Sequence, residues 1–366
     1  MKKIILSFLI IILCGGCWNY KELNDYALVT SMAIDYVDDK YLVSFLVLNG
    51  NKLENDSKDS KYKSVIYSGS GKTISLAIEN ASLVLFKELY IGNLNSLIIS
   101  EEVAKRGIYN LLEYFLKDSQ SKSIFYVFLA KDTNASDLLN ITNSITNNYN
   151  EMQGSFVYKT YNDVLYDLVN DGIDTAISSY VIVDNKDNGV NFENKNELVP
   201  KTYIKIDDLG IFKGDKLVGY ANYNQSRGIN IINNNINNLN INIPCDDGYI
   251  VVDTNNLKTI RDISKEHIKI KTTGDASIKE VTCDIDINDN KNIVDLNKKI
   301  NKEIRDIIYD GYLTARNMET DVFGLGLEYY RNNPLEYEKN NFNDIYLGIE
   351  PEVSVDIRFL NSDNIK

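Results

Sequence analysis

The chain is predicted to be an α+β protein of mixed α/β character, a multi-domain body of mixed sheets flanked by helices. Three observations carry that expectation. From Tyr26 to Asp184, β-branched and aromatic runs alternate with stretches whose apolar residues recur at helical spacing. The stretch Asn185 to Leu198 is charged, Asn-rich and apolar-poor, with Pro200 just after it, which places a domain boundary there. Beyond it, strand-like runs accumulate up to Ile287, and the strongest helical stripe of the chain follows from Asn292 to Arg316.

The first residues stand apart from that body. Lys2 and Lys3 give a positive start, and Ile4 to Leu13 is apolar except for Ser7. Gly15, Gly16 and Cys17 follow, and the sequence turns polar after Trp18. This is the pattern of a secretory signal peptide. The apolar run is about half the length of a membrane-spanning helix. A small-small-Cys ending is what bacterial lipoproteins carry. Cleavage before Cys17 and a diacylglyceryl group on its sulfur are therefore expected, with residues 1–16 removed. Cys14, at the position usually held by Leu, is a poor rival because bulky Leu13 precedes it. A retained anchor, or a plain secretory signal with an incidental cysteine, is the alternative.

About 350 residues would remain of the 366, enough for two or three domains each with its own core. The formal net charge is −13, and losing Lys2 and Lys3 takes it to near −15. Such a body repels nucleic acid and anionic headgroups, so attachment to a membrane falls to acyl chains. The wealth of Asn, Ile, Lys and Tyr reflects an AT-rich genome rather than a function. Of four cysteines, Cys245 and Cys283 would remain free of processing. Two buried free thiols are expected there, with one disulfide outside the membrane as the alternative. Their spacing has no metal-ligand pattern.

The elements follow in order. Tyr26 to Tyr36 and Tyr41 to Leu48 read as an antiparallel pair around a turn at Asp38-Asp39-Lys40. Asn49 to Lys63 is an expected exposed loop and Ser64 to Ser68 a short strand. Ile74, Ala77, Ile78, Ala81 and Leu85 mark a helix. Asn95 to Ser100 is a strand. Glu101 to Lys117 is expected as one amphipathic helix, with Val103, Ile108, Leu111, Leu112 and Phe115 inward. Ser123 to Leu129 is a strand, Asn162 to Asp171 a helix and Tyr180 to Asp184 a strand. After the boundary, Leu209 to Tyr220 reads as a hairpin around Lys213-Gly214-Asp215-Lys216. Ala221 to Ile243 reads as a helix and then a strand. Further strands pass through Ile250, Ile260, Ile270 and Ile278 to Ile287. In the long helix, Ile293, Leu296, Ile300, Ile304, Ile307 and Ile308 form one stripe. Glu352 to Leu360 alternates enough to close a sheet. The expected domains are 17–198, mixed α/β, and 199–366, α+β, with a further split near residue 244.

The search for chemistry is mostly negative. Gly69-Ser70-Gly71-Lys72-Thr73 resembles a phosphate loop, but the first glycine of that motif would fall at Ile66, so a loop into a helix start is expected instead. The sole histidine, His267, has no motif partner for a triad. Asp284-Ile285-Asp286-Ile287-Asn288 starts like a calcium loop, but Asp289 and Asp295 stand where Gly and Glu are required. The neighbours Asp207 and Asp208, and Glu101 and Glu102, carry no cleft signature. No catalytic residue, metal ligand or cofactor is expected.

The residues do carry a resemblance. GCWNYKELNDYALVTSMAIDY, and the stretch from Gly69 to Ile108, resemble the Ger(x)C family of spore germination lipoproteins, the C subunits of nutrient germinant receptors. So do LGIFKGDKLVGY with Ser226-Arg227-Gly228 after it, Pro244 to Gly248, and DVFGLGLEYYRNNPLEYEKN from Asp321. Asn93 stands where the family usually has His, so no role is expected at that position. The resemblance implies an elongated mixed α/β body of up to three domains and a non-enzymatic, lipid-anchored subunit. It would sit on the outer face of the spore's inner membrane beside two integral membrane subunits, in a receptor for small molecules such as amino acids or sugars. Two other readings compete: a substrate-binding lipoprotein of a transporter, closing two lobes on a ligand, and a surface hydrolase.

Overall fold

The computed structural model describes residues 26–48, 64–85, 87–117, 124–144, 158–184, 202–287, 289–339 and 342–359. The expected signal peptide, Cys17, the loop from Asn49 to Lys63 and the boundary stretch Asn185–Leu198 lie outside the described residues.

Strands β1 (Tyr26–Val37) and β2 (Lys40–Leu48) form the expected hairpin. Asp38 and Asp39 both take positive φ, 50° and 57°, the geometry whose twist matches a two-residue turn. Strand β3 (Ser64–Gly71) extends the hairpin, and helix α1 (Ile74–Ser82) starts at Thr73, whose hydroxyl accepts from the Leu76 N–H. Strand β4 (Glu88–Tyr90), a 3-10 turn at Ile91–Asn93 and the fully buried β5 (Ser96–Ser100) follow.

The expected single helix from Glu101 to Lys117 is two: α2 (Glu101–Arg106) and α3 (Tyr109–Lys117). Gly107 breaks it at φ +118°, a conformation that suits glycine. Asp215 holds the break, accepting the Ile108 N–H on its carbonyl at 2.9 Å and the Tyr109 N–H on its carboxylate at 3.4 Å. All five expected inward residues are buried in spite of the break.

Next come β6 (Tyr126–Ala130), α4 (Ala135–Ser144), the short β7 (Lys159–Thr160), α5 (Tyr161–Val169), opened by a capping box of Thr160 and Asp163, and β8 (Ala176–Asp184). The hairpin β9 (Thr202–Lys213) and β10 (Lys216–Ala221) completes one sheet, in the order β10-β9-β8-β6-β5-β1-β2-β3, with β4 beside β1 and β7 beside β6. Its central strands β8, β6, β5 and β1 are mutually parallel, and antiparallel hairpins flank them on both sides.

Helix α6 (Tyr223–Ile232) leads to a second sheet: β11 (Leu239–Cys245), β12 (Gly248–Ile263) and β13 (Ile268–Val281), an antiparallel meander. The helices α7 (Asn290–Asn317), α8 (Leu325–Asn332), α9 (Pro334–Lys339) and α10 (Phe342–Gly348) then form the crossover that brings β14 (Pro351–Phe359) back parallel to β13. Of the α7 stripe, Leu296, Ile300, Ile304, Ile307 and Ile308 are buried against this sheet's core, and Ile293 in the first turn is half-buried.

Side chains alternate along strands, so β9 serves two cores at once. Phe212 packs with the first sheet's helices, while Leu209 and Ile211 turn into the core of the second sheet. By hydrogen bonding, the hairpin from Thr202 to Ala221 belongs to the first sheet, so that sheet extends past the expected boundary at 198/199 to Ala221.

The expectation of free thiols is corrected. Cys245 and Cys283 form a disulfide, with Cα atoms 6.4 Å apart. Cys245 pairs in register with Gly248 on one side of β12, and Thr282 bonds to Tyr249 on the other, so both cysteines flank the start of β12. A sequence separation of 38 conceals that neighbourhood.

Candidate functional site

The residues singled out for chemistry fall into structural roles. His267 staples the β12–β13 turn, its two ring nitrogens 2.9 Å from Ser264 Oγ and 3.0 Å from Asp262 Oδ2. The Gly69–Thr73 string is no phosphate cradle. A Cβ on Gly69 would lie 2.2 Å from the Ala81 backbone, and one on Gly71 2.6 Å from that of Ala77, so these glycines let α1 lie directly on β3. Lys72 points to solvent. Asp289 caps α7 through the Lys291 N–H, and no group of three acidic, His or Cys side chains among the described residues could hold a metal ion. Asn93 is exposed on the 3-10 turn.

The carboxylate pairs are more informative. Asp207 and Asp208 both receive the Lys131 ammonium, at 2.7 and 2.6 Å. Burial alone would pull the Lys131 pKa down, yet these two hydrogen bonds hold it above the usual lysine range. Glu101 and Glu102 line a crevice that the sequence did not announce.

That crevice, about 540 Å³, opens at the carboxyl ends of β1, β5 and β6. The alternation of β5 explains why a gap exists there. Leu97 and Ile99 face the core that holds α2 and α3, and Ile98 faces the core that holds α4. The connections after β5 and β6 thus leave for opposite faces, and the strand ends between them stay uncovered. Such a point is where open α/β sheets bind ligands. Asp35, late in β1, accepts the Ala135 and Ser136 N–H groups at 2.7 and 3.0 Å and so occupies the start of α4. Burial raises its pKa, and those two bonds work against the rise. Five carboxylates and one ammonium line the walls. The arrangement excludes anions and concentrates cations.

A second constellation joins the two sheets. Asp321, between α7 and α8, is buried and accepts backbone N–H groups from Phe323, Leu325 and Gly326 at 3.3, 3.1 and 2.7 Å. Burial pushes its carboxyl up to about 7 against those donors. Its backbone is clasped by Asp174, before β8: the Asp174 N–H donates to the Asp321 carbonyl, and the Asp321 N–H donates to Asp174 Oδ2 at 2.8 Å. The other Asp174 oxygen accepts the Gly214 N–H from the β9–β10 turn. Tyr312 stacks on Phe323 at 5.5 Å, and Tyr346 donates to the Thr320 carbonyl at 3.0 Å.

Comparison with known proteins assigns this architecture. Residues 19–183 match a family profile described as the spore germination protein N-terminal domain, and residues 207–362 match one described as spore germination B3/GerAC like, C-terminal. The chain belongs to the Ger(x)C family of spore germination proteins. It is 26% identical to spore germination protein KC of Bacillus subtilis (strain 168), over 97% of this chain and 93% of that one. It is 24% identical to spore germination protein B3 of the same organism, over 37% of this chain and 36% of the relative. The crystal structure of the GerBC protein has the same fold, with a TM-score of 0.55 at 14% identity over 90% of this chain and 97% of that one.

The stretches that resemble the Ger(x)C family are its joints. In Ser226-Arg227-Gly228, Gly228 lets α6 cross α7, since a Cβ would lie 2.1 Å from the Ile307 carbonyl oxygen. Arg227, buried, donates to the Asn240 carbonyl at 2.6 Å and ties α6 to β11. Pro244 to Gly248 holds the disulfide and the β11–β12 turn. The hairpin Leu209–Tyr220 supplies Asp215 to the α2–α3 break. Asp321 to Gly326 is the inter-sheet clasp.

Proposed function

We propose that the chain is the C subunit of a nutrient germinant receptor: a non-enzymatic, lipid-anchored protein that works in germinant-triggered spore germination with two integral membrane subunits. The observation that carries this reading is the ordered, near full-length match to both Ger(x)C profiles and to spore germination protein KC. Cys17 carries the acyl chains, and the body lies on the outer face of the spore's inner membrane. No helix among the described residues is long and apolar enough to cross a membrane, and the chain carries a formal net charge of −13, which disfavours electrostatic attachment to anionic headgroups; both support attachment through Cys17. The gap between the two profiles, residues 184–206, supports two domains, and the hairpin Thr202–Ala221 is the piece that the first sheet takes in from beyond the expected boundary.

Cys17→Ala is expected to release the body from spore membranes or leave it unprocessed. Spores lacking the chain are expected to lose the response to one small nutrient and keep others. Unchanged germination with every nutrient, or processed and tightly bound Cys17→Ala protein in the absence of its partners, contradicts this reading.

A further inference from the structure

We propose that the crevice at the ends of β1, β5 and β6 binds a small primary-ammonium compound, with Ser100 and Asp132 as its contacts. The acidic walls alone would not assign a ligand, but Ser100 does. It is 6% exposed and lines the crevice, and its Oγ has no hydrogen-bond partner. It stands at the N-cap position of α2, where a serine hydroxyl ordinarily accepts a helix N–H, and it makes no such bond. A buried hydroxyl without a partner costs stability, and Ala at this position would avoid that cost. The hydroxyl is therefore held ready for a group that arrives from the crevice.

The state of the surrounding carboxylates defines that group. Glu101 is bridged to Lys105 and Glu102 to Arg106. Asp35 already accepts an α4 N–H group on each oxygen, and Asp137 accepts the Asn134 amide. Asp132, directly after β6, enters no ion pair among the described residues, and it sits at φ +55°, in the left-handed region. A carboxylate without an ion pair, sharing the crevice with an orphan hydroxyl and with only the Lys105 charge acting on it from a distance, matches the donors of an ammonium group. An anion is repelled by the same walls, and three-ligand metal geometry is absent among the described residues. A carboxylate on the ligand would have to project outward, so the class is small amines whose other end is uncharged. This inference does not depend on the lipid anchor or on the membrane partners.

The experiment is ligand-observed NMR titration of the full chain in neutral detergent micelles. The probe is glycinamide, and N-acetylglycinamide is the matched neutral control. Glycinamide is expected to bind saturably with a Kd of about a millimolar, weakening with added salt, and the acetylated compound is expected not to bind. Asp132→Asn is expected to weaken binding by about tenfold. Ser100→Ala is expected to weaken binding several-fold while leaving the melting temperature unchanged or raised, because it removes an unpaired buried hydroxyl. A purely structural Ser100 would leave the affinity untouched. Four results would overturn the proposal: no saturation by glycinamide, equal binding of the acetylated compound, unchanged affinity in both variants, or calcium binding alone that depends on the same two residues.

Discussion

Gly172 and Gly326 meet backbone to backbone across the two sheets. A Cβ on Gly172 would lie 2.6 Å from the Gly326 carbonyl carbon, and one on Gly326 would lie 2.8 Å from the Gly172 Cα. The Leu327 N–H closes the contact on the Gly172 carbonyl at 2.8 Å. The Gly172 face meets only main chain, and a Cβ on Gly326 would also lie 2.8 Å from the ring of Phe342, which is itself buried and has little room to give way. Gly326→Ala is therefore expected to cost about 2–4 kcal/mol, read as a fall in the thermal unfolding midpoint. Gly348→Ala is the control: nothing lies within 4 Å of its Cβ, so a neutral or slightly stabilising change is expected. Equal effects of the two substitutions would mean the joint is looser than its geometry.

The Asp321 clasp gives the protein a pH dependence of definite sign. Its carboxyl sits at about 7 in the folded state, raised by burial above the ordinary aspartate value. Folding then takes up a proton between the two values. The contribution to stability is fully present below the unfolded value and is lost as pH rises to about 7. Asp321→Asn keeps an acceptor oxygen and removes the titration. Its cost is expected to shrink by about 2 kcal/mol between about pH 5 and pH 8, measured by urea unfolding midpoints. An equal cost at both pH values would show that the carboxylate stays ionised.

The disulfide closes a loop of sequence separation 38 at one corner of the second sheet. Reduction, or Cys245→Ser with Cys283→Ser, is expected to lower stability by about 2–4 kcal/mol through the freed unfolded chain. Calorimetry with and without reductant tests it, and an unchanged midpoint would place the cysteines in the thiol state in solution.

Neighbouring tyrosines separate core from surface. Tyr329 is fully buried, whereas Tyr330 is 45% exposed and rests edge-on against Tyr337 at 5.3 Å. Tyr329→Ala is expected to cost about 3–5 kcal/mol and Tyr330→Ala less than about 1 kcal/mol. Ile300→Asp, which puts an unpaired charge at a position with no exposure, is expected to cost several kcal/mol as well. Circular dichroism melts of the three variants rank them. If Tyr330→Ala proves as costly as Tyr329→Ala, its ring is core rather than surface.

Much of this was legible because periodicity survives tertiary context. The α7 stripe, the first hairpin and the strand before Ser100 all fall where alternation and helical spacing put them. The break at Gly107 was not legible, because Asp215, which stabilises it, lies far along the chain. The helices after Asp321 carried aromatics and glycines without a legible stripe, since each is no more than eight residues long and buries at most three of them. The crevice was hidden for a related reason. Asp35, Ser100 and Asp132 come from three different strand ends and meet only when β1, β5 and β6 lie parallel. The disulfide needed the β12 register, which spacing does not reveal.

The central claim is that this chain works as the lipid-anchored partner of two integral membrane subunits. The most direct measurement is affinity purification of the tagged chain from gently solubilised spore membranes, with identification of what is retained. The account expects two integral membrane proteins to be recovered together with a chain that begins at a diacylated Cys17. Recovery of the chain alone, or of a transporter's spanning subunits in its company, would contradict it.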